Sequence, residues 1–199
     1  ELRERYLKRL DRKSSFTTEG IKNYILQNTN VKKCQVIEND TDDFDSDGRL
    51  AHSYECICYG ETNDNILKAL YEYKIAGIRT VGDITKNFDE ITVGFTRPTE
   101  KTVFLKVEIQ GIKEVWREEF KKIIKDIYLN YIDEVEPNST IYLYKIIGEI
   151  YKNVSGIKTL RIKLGDTKYN EREQDYKLSN KEVAVANDND ITIEVDLWY

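Results

Sequence analysis

The chain has 199 residues, of which 40% are hydrophobic and 34% charged, and its formal net charge at pH 7 is −5. This length allows one large or two small domains with real hydrophobic cores. Acidic and basic residues are mixed along the chain, so the sequence predicts no basic face for nucleic acid. No apolar run approaches the roughly 20 residues needed to cross a bilayer, so no membrane partner is expected either.

The start of the chain and its cysteines bear on its origin. The chain opens at Glu1, without an initiator methionine or a secretory signal, which suggests a fragment of something longer. It has three cysteines, an odd number that is typical of a reducing compartment where thiols stay free. Synthesis in a cytoplasm is therefore expected.

Hydrophobic periodicity predicts two helices at the start of the chain. The first is a short amphipathic helix, because apolar residues recur at every fourth position: Leu2, Tyr6 and Leu10. The second is predicted to be capped by Thr18 and to run to about Asn28. Its apolar face would consist of Ile21, Tyr24 and Ile25.

Two strands and a third helix are predicted next. Val31 to Ile37 and Tyr54 to Tyr59 are rich in strand-forming residues, and the acidic stretch Asn39 to Gly48 lies between them. This pattern predicts a hairpin with a long polar connection. Thr62 or Asn63 is then expected to cap a helix, which completes an α-β-β-α order.

The predicted boundary between two lobes follows this helix. Gly77 is expected to close the helix, and Ile91 to Phe95 is predicted to be a short strand. Arg97-Pro98 then marks a break, because proline has no amide donor. We therefore predict an N-terminal lobe over residues 1–97 and a C-terminal lobe over residues 98–199.

The second lobe begins with a half-buried strand over Lys101 to Ile109. One face of it is apolar: Val103, Leu105, Val107 and Ile109. Gly111 leads into the most strongly patterned helix, which is predicted to stop before Pro137. Its apolar stripe is predicted to be Trp116, Phe120, Ile123, Ile127 and Tyr131.

The rest of the second lobe is predicted to contain one more helix and three strands. Ser139 or Thr140 is expected to cap the helix, whose apolar residues are Ile146, Ile147, Ile150, Tyr151 and Val154. A strand follows at Ile157 to Leu164. Val183 to Ala186 and Ile191 to Leu197 are predicted to form a terminal hairpin around the turn Asn187 to Asp190. The order is then β-α-α-β-β-β, and the predicted class is α+β with mostly antiparallel sheets and helices on one face.

The acidic stretch contains a partial calcium motif. Asp43, Asp45 and Asp47, followed by Gly48, match the first six positions of a calcium-binding loop. The twelfth position, normally a bidentate glutamate, is Tyr54, and strands rather than helices flank the segment. The competing interpretation is a solvated acidic turn, which leaves these aspartates as calcium candidates only.

Other chemical sites find less support. Cys34, Cys56, Cys58 and His52 could be drawn together as a zinc site, but their spacing matches no familiar one, and buried thiols that fill a core are the alternative. The chain has a single histidine, and its neighbour Ser53 would point to the opposite face of a strand, which argues against a catalytic triad. A pair of carboxylates working without histidine cannot be singled out among 36 acidic residues. We therefore predict no catalytic residue, no metal, no cofactor and no enzymatic activity.

Aromatic content points to protein contacts. The chain has 14 tyrosines and two tryptophans, which is more than two small cores are expected to absorb. Tyrosine and tryptophan are enriched at protein interfaces because an apolar body and a polar tip suit a partly wet contact. Leu197, Trp198 and Tyr199 are the candidate anchor, and burial in a core or at its rim is the alternative for each aromatic residue.

The order of short motifs resembles the baseplate J-like family of contractile phage tails and related injection machines. In the first lobe the resemblance is carried by Val36-Ile37-Glu38-Asn39, Thr41-Asp42, Asp47-Gly48, His52-Ser53 and Gly60. It continues through Ile66, Lys74, Ala76-Gly77-Ile78, Thr80, Gly82, Phe95, Arg97 and Pro98. Two departures stand out: Tyr59-Gly60 replaces the usual glycine pair, and Leu50-Ala51 stands where a proline is common. The chain is similar to the central and C-terminal parts of the family.

The resemblance implies a structural role. Such a protein would be a wedge subunit of a phage, prophage or tail-like bacteriocin baseplate, pairing with itself and with other wedge proteins. It would be located in the particle and assembled in the host cytoplasm. Rearranged interfaces, and no reaction, would accompany contraction. The acidic turn and His52 would then determine the fold. The alternative is a calcium- or carbohydrate-binding accessory module of the same kind of particle.

Overall fold

The computed structural model describes residues 17–198, so the predicted opening helix lies outside the described residues. Four helices and twelve strands occur in this range, and the predicted α+β class is confirmed. The chain divides into two units, the first ending at Pro98 and the second beginning at Thr99. No helix within residues 17–198 has the length and apolarity needed to cross a membrane.

Over residues 17–98 the first unit contains two helices and five strands. In chain order these are α1 (Thr18–Asn28), β1 (Val31–Asn39), β2 (Ser53–Gly60), α2 (Asn63–Tyr73), β3 (Arg79–Val81), β4 (Ile84–Phe88) and β5 (Ile91–Phe95). Strands β1 and β2 form the predicted antiparallel hairpin, and β3 adds to β2 in parallel. Strands β4 and β5 form a second hairpin. The sequence predicts β5 but misses β3 and β4.

Helix α1 packs on the sheet through the predicted face. Its cap is Thr17 rather than the predicted Thr18, because the Thr17 hydroxyl oxygen accepts the N–H of Gly20 at 3.1 Å. The helix ends at Asn28, as predicted. Ile21 and Ile25 are buried in a core to which α1, α2, β1, β2 and β5 contribute.

Glu61 lies just before the N-cap of α2. Of the two predicted caps, Thr62 is the N-cap residue but its side chain makes no capping hydrogen bond, and Asn63 is the first residue of the helix. The Glu61 carboxylate accepts the N–H of Thr62 at 2.7 Å and the N–H of Asn30 at 3.0 Å, and it also accepts the side-chain amide of Asn65. These donors, the Thr62 N–H first, lower the pKa of Glu61 to about 2.

The end of α2 also differs from the prediction. The helix stops at Tyr73 and the next residue, Lys74, is its C-cap. Gly77 does adopt a left-handed φ of 83°, but within the separate turn that leads to β3. The glycine therefore serves the loop and not the helix terminus.

We expect Glu61→Gln to flatten the acid dependence of stability. The Glu61 carboxyl titrates near 4.5 when unperturbed and near 2 in the folded chain, so its contribution is present above pH 4.5 and is lost as the pH falls towards 2. Urea unfolding midpoints measured between pH 2 and 6 test this. Glu90→Gln, at an exposed turn, is the control. Identical pH profiles for Glu61→Gln and the unmodified chain would contradict the assignment.

The second unit contains two helices and seven strands. They are β6 (Thr99–Thr102), β7 (Phe104–Ile112), α3 (Glu119–Glu134), β8 (Thr140–Ile141), α4 (Leu143–Asn153), β9 (Ile157–Gly165), β10 (Tyr176–Lys177), β11 (Glu182–Val185) and β12 (Ile191–Trp198). The main sheet has the order β12-β7-β9, with β7 antiparallel to β9 and parallel to β12. Two-stranded pairs, β11-β6 and β10-β8, accompany it.

The core of this unit forms between the main sheet and the two helices. The predicted apolar alternation is confirmed, since Val103, Leu105, Val107 and Ile109 are all buried. The stripe predicted for α3 is displaced by one residue, and the fully buried positions are Ile124, Tyr128 and Ile132. The predicted residues Phe120, Ile123, Ile127 and Tyr131 are partly buried at the margin, and Trp116 precedes the helix. Tyr128 is favoured inside because its hydroxyl donates to the Val103 carbonyl at 2.7 Å.

The predicted start of α4 is wrong. Thr140 lies in strand β8, and the helix begins at Leu143. The Leu143 N–H donates to the Asp175 carboxylate at 2.8 Å, so a distant acidic residue satisfies the helix N-terminus. Ser139 instead donates its hydroxyl to the carbonyl of Glu136.

The predicted terminal hairpin is also wrong. Strand β11 pairs in parallel with β6, and β12 pairs in parallel with β7, so the two strands belong to different sheets. Between them Asp188–Asp190 forms a 3₁₀ turn, in which Asn187 and Asp190 exchange side-chain and backbone hydrogen bonds. This capped turn redirects the chain along the β6–β7 segment instead of folding it back.

Candidate interaction surface

The acidic loop, residues 40–52, is organised around one buried arginine. The Arg49 side chain is 5% exposed; its Nη1 donates to Asp45 at 2.7 Å, and its Nε donates to Glu55 at 2.8 Å. Nη2 lies 3.0 Å from Asp47, as an ion-pair contact without hydrogen-bond geometry. One guanidinium therefore faces three carboxylates.

This network joins the loop to the strands beneath it. Glu55 on β2 is 3% exposed and also accepts the hydroxyl of Thr96, which follows β5. At the end of β1, the Asn39 side-chain amide donates to the carbonyls of Asp43, Arg49 and Leu50 at 2.9–3.0 Å. The loop is thus held at both ends by buried polar groups.

The three calcium candidates have different surroundings. Asp43 is exposed, whereas Asp45 and Asp47 face Arg49. The pKa of Asp45 is lowered, because hydrogen bonds from the Arg49 backbone and side chain outweigh the desolvation that would raise it. Within residues 17–198 no three His, Cys, Asp or Glu side chains are placed to hold a metal ion together. The three aspartates stay calcium candidates only, for which calcium titration calorimetry is the test.

The three cysteines lie close together in the β1–β2 hairpin, and His52 lies apart from them. Cys34 and Cys58 are directly opposite each other on β1 and β2, with their sulfur atoms 3.7 Å apart, and Cys56 is fully buried on β2. His52 lies at the surface with its Nε2 atom 3.0 Å from Asp42. Apolar residues of the first core surround the thiols, which is the arrangement of the core-filling alternative.

We expect the thiols to be unreactive in the folded chain. Burial raises the pKa of the Cys56 thiol well above its ordinary value, and hydrogen bonding with Cys34 together with burial does the same for Cys58. A colorimetric disulfide reagent at pH 8 should label no native cysteine within minutes and all three in denaturant. Lys68→Cys on the exposed face of α2 provides a reactive control. Rapid labelling of one equivalent in the unmodified chain would refute this expectation.

Residues that carry the sequence resemblance hold the first unit together. Arg97 donates to the carbonyl of Gly60 at 2.7 Å, to the carbonyl of Glu61, and to Asn63 at 2.9 Å. Gly82 lies so close to Phe95 that a Cβ atom there would be 2.2 Å from the Phe95 carbonyl carbon. These residues hold neighbouring backbone segments close together, which is a structural role.

The predicted interface residues Leu197 and Trp198 lie in an exposed apolar patch at one end of the main sheet. The patch consists of Ile112, Val115, Leu197 and Trp198, whose exposed fractions range from 38% to 49%. Ile112 pairs with Trp198 across β7 and β12, and the Val115 N–H donates to the Ile112 carbonyl. All four residues therefore lie at the same end of the sheet, and we name them the sheet-end patch.

A cation flanks this patch. The Lys158 ammonium lies 4.6 Å from the centre of the Trp198 ring, which orients the indole while leaving it half exposed. Leu197 lies on the other side of β12, beside Gly111. Tyr199, the third predicted anchor, lies outside the described residues. A contact of this patch with a partner stays a prediction.

A second aromatic surface, on helix α4, was missed. Tyr144 and Tyr151 are 65% and 50% exposed, and Gly148 lies between them on the same side of the helix. Lys145 is held over the rings of Tyr131 and Tyr142 at 5.8 and 5.5 Å. The spacing of two tyrosines around a helical glycine was the available signal, but the apolar stripe of isoleucines masked it.

Comparison with known proteins gives a match at the level of fold. No family model matches the chain, and no curated protein matches it. A solved structure described as the baseplate of the anti-feeding prophage, 6-fold symmetrised, is similar over 86% of this chain with a TM-score of 0.50 and 11% identity. The match spans 37% of that structure's chain. The likeness therefore concerns the fold, and the baseplate J-like resemblance stays a prediction.

Proposed function

We propose that the chain is a structural part of a baseplate in a contractile, tail-like particle and acts by assembling with other proteins. The observation that carries the proposal is the fold likeness to a prophage baseplate over 86% of the chain. Membership of the baseplate J-like family and the role of wedge subunit are part of the proposal. So are pairing with a second copy, location in the particle and the absence of enzymatic activity.

The arrangement of the polar residues supports this function. Arg49, Asn39 and Arg97 each use their side chains to fix backbone segments or to neutralise buried carboxylates. Residues that position segments in this way suit a rigid building block, since an assembly subunit needs a defined surface more than a reactive group.

The sheet-end patch is the proposed contact with a neighbouring baseplate protein. Isolated exposed apolar residues are ordinary, but a contiguous group that includes a tryptophan is typical of an interface. Ile112 and Trp198 are exposed cross-strand neighbours on one face of the sheet and form the centre of such a group, while Leu197 lies on the other face. The Lys158 ammonium lies over the Trp198 ring. An indole oriented before binding loses less conformational entropy on binding.

Sedimentation of the protein, alone and mixed with the other proteins of its tail particle, tests the proposal. We expect a complex with at least one of them, and Trp198→Ser should weaken that complex at least tenfold, as loss of an aromatic anchor does. Tyr169→Ser is the matched control, because Tyr169 is 97% exposed and lies outside the patch. A chain that binds none of these proteins would contradict the proposed function. Equal binding by both variants would exclude the sheet-end patch as the contact but would leave the proposed function in place.

A further inference from the structure

The fold of the chain does not require a glycine at position 148. It lies in the middle of α4, and a Cβ atom built there would have no neighbour within 4 Å. Glycine in the interior of a helix is less favourable than alanine, because it loses more backbone freedom on folding. The residue leaves an open notch on the exposed side of the helix, between two large aromatic side chains.

Tyr144 and Tyr151 stand on either side of this notch. They are four residues before and three residues after Gly148, which puts all three on one face of the helix. With a rise of about 1.5 Å per residue, Tyr144 lies about 6 Å before the glycine along the helix axis and Tyr151 about 4.5 Å after it. The two tyrosines are thus nearly equidistant from the notch.

We propose that α4 of one copy packs against α4 of a second copy in antiparallel orientation, with the two glycines at the crossing point. A two-fold axis there brings the Cα atom of Tyr144 of each copy within about 1.5 Å, along the helix axis, of the Cα atom of Tyr151 of the other. The same Tyr144–Tyr151 contact then forms twice. The missing side chain allows the two helix backbones to approach closely, since interaxial distance depends on the residues at the contact.

The occupant is a second copy because the spacing is self-complementary. Another protein would have to bring two aromatic residues at the same separation, whereas this chain already supplies them. The stripe of α4 beside Gly148 carries Lys145, Glu149 and Lys152, and Glu149 pairs with Lys152 at 3.2 Å. This mixture of signs places no block of like charge at the contact. Lys145 is held over Tyr131 and Tyr142.

The expected strength of this contact follows from its size. A single pair of 11-residue helices buries less than the roughly 1,200–2,000 Å² of a stable interface, so the contact is weak in dilute solution. Inside a ring of subunits the local concentration of copies is far higher, and weak contacts then form. The inference deepens the proposed function by naming the surface through which copies pair, and it rests on that function for its setting.

Disulfide trapping in the full chain tests the geometry, because Cys34, Cys56 and Cys58 are buried. Under mild oxidation, Gly148→Cys is expected to give dimers at least tenfold faster than Lys68→Cys, a control on the exposed face of α2. When Tyr144→Cys and Tyr151→Cys chains are mixed, with one of them tagged so that the dimers differ in size, the mixed dimer is expected to form faster than either homodimer. No excess over Lys68→Cys, or dimers within each single variant but not between them, would overturn the proposal.

A second variant separates assembly from folding. Gly148→Leu fills the notch and is expected to reduce self-association, measured by sedimentation equilibrium, at least tenfold while its melting temperature stays the same or rises. Unchanged association would overturn the proposal. Binding to the other tail proteins is measured in parallel. If disulfide trapping fails while binding to the other tail proteins persists, the α4 contact is wrong and the baseplate role stands. If trapping succeeds while that binding is absent, the baseplate role is wrong and the α4 contact stands.

Discussion

Arg49→Ala is expected to destabilise the first unit by about 3–5 kcal/mol, the largest effect of any polar substitution considered for this chain. The substitution removes the cation that faces Asp45, Asp47 and the buried Glu55, which is 3% exposed. Removing one member of a buried pair is far more damaging than losing an exposed pair, because the remaining charge is still desolvated. Urea unfolding at pH 7 measures the loss.

The pH dependence of this variant identifies the cause. The Arg49 side chain contributes to the lowered pKa of Asp45, so this part of the stabilisation is present above the ordinary aspartate pKa of 3.8 and is lost as the pH falls further. The difference between Arg49→Ala and the unmodified chain should therefore shrink as the pH falls below this value. A loss below about 1 kcal/mol would mean that the network behaves as a surface ion pair.

Gly82→Ala is expected to cost about 3 kcal/mol. The added Cβ would lie 2.2 Å from the Phe95 carbonyl carbon and 2.4 Å from its oxygen, so backbone must move. Phe95 is fully buried, and the next residue, Thr96, exchanges backbone hydrogen bonds with Cys56 and Cys58 on β2. A shift at Phe95 therefore disturbs the attachment of β5 to the sheet. Thermal and urea unfolding give the magnitude.

Gly148→Ala is the matched glycine control for this prediction. Its Cβ would meet open space within a helix, so the substitution should stabilise the fold by about 0.5–1 kcal/mol. If Gly82→Ala lowers the free energy of unfolding and Gly148→Ala raises it, the effect at Gly82 comes from the close approach of Phe95 and not from the loss of a glycine as such. A neutral Gly82→Ala would contradict the packing described for Phe95.

The parts of the fold that the sequence predicted well are those with a strong apolar period. The alternation from Val103 to Ile109 identified a strand with one buried face, because burial of one face is what imposes a period of two. Strands β3 and β4 escaped prediction for the converse reason. They are three and five residues long, and Thr85, Lys86 and Asn87 face solvent, so no apolar pattern distinguishes them from a loop.

The terminal hairpin failed because local pattern does not specify a partner. Two short apolar runs around Asn187 to Asp190 fit a hairpin, but each run finds a parallel partner in β6 or β7, far away in sequence. Parallel pairing depends on tertiary packing, and alternation alone carries no information about it.

The role of Arg49 was likewise hidden among polar residues. Periodicity gives no reason to expect an arginine in an acidic stretch to be buried. The available clue was Glu55, a charge inside the apolar strand from Tyr54 to Cys58, because a buried carboxylate requires a nearby cation. The partial calcium motif drew attention to the aspartates and away from the residue that they surround.

The parallel pairing of β7 with β12 also sets an order of events during folding. Leu105 pairs with Ile191, more than eighty residues later along the chain, whereas the β1–β2 and β4–β5 hairpins join near neighbours. Closing such a long loop costs conformational entropy before the stabilising contacts have formed, and chains rich in distant contacts fold slowly. The first unit should therefore acquire its native contacts early, while the second waits for β12. A nascent chain would leave one hydrogen-bonding edge of β7 unpaired until β12 had emerged from the ribosome.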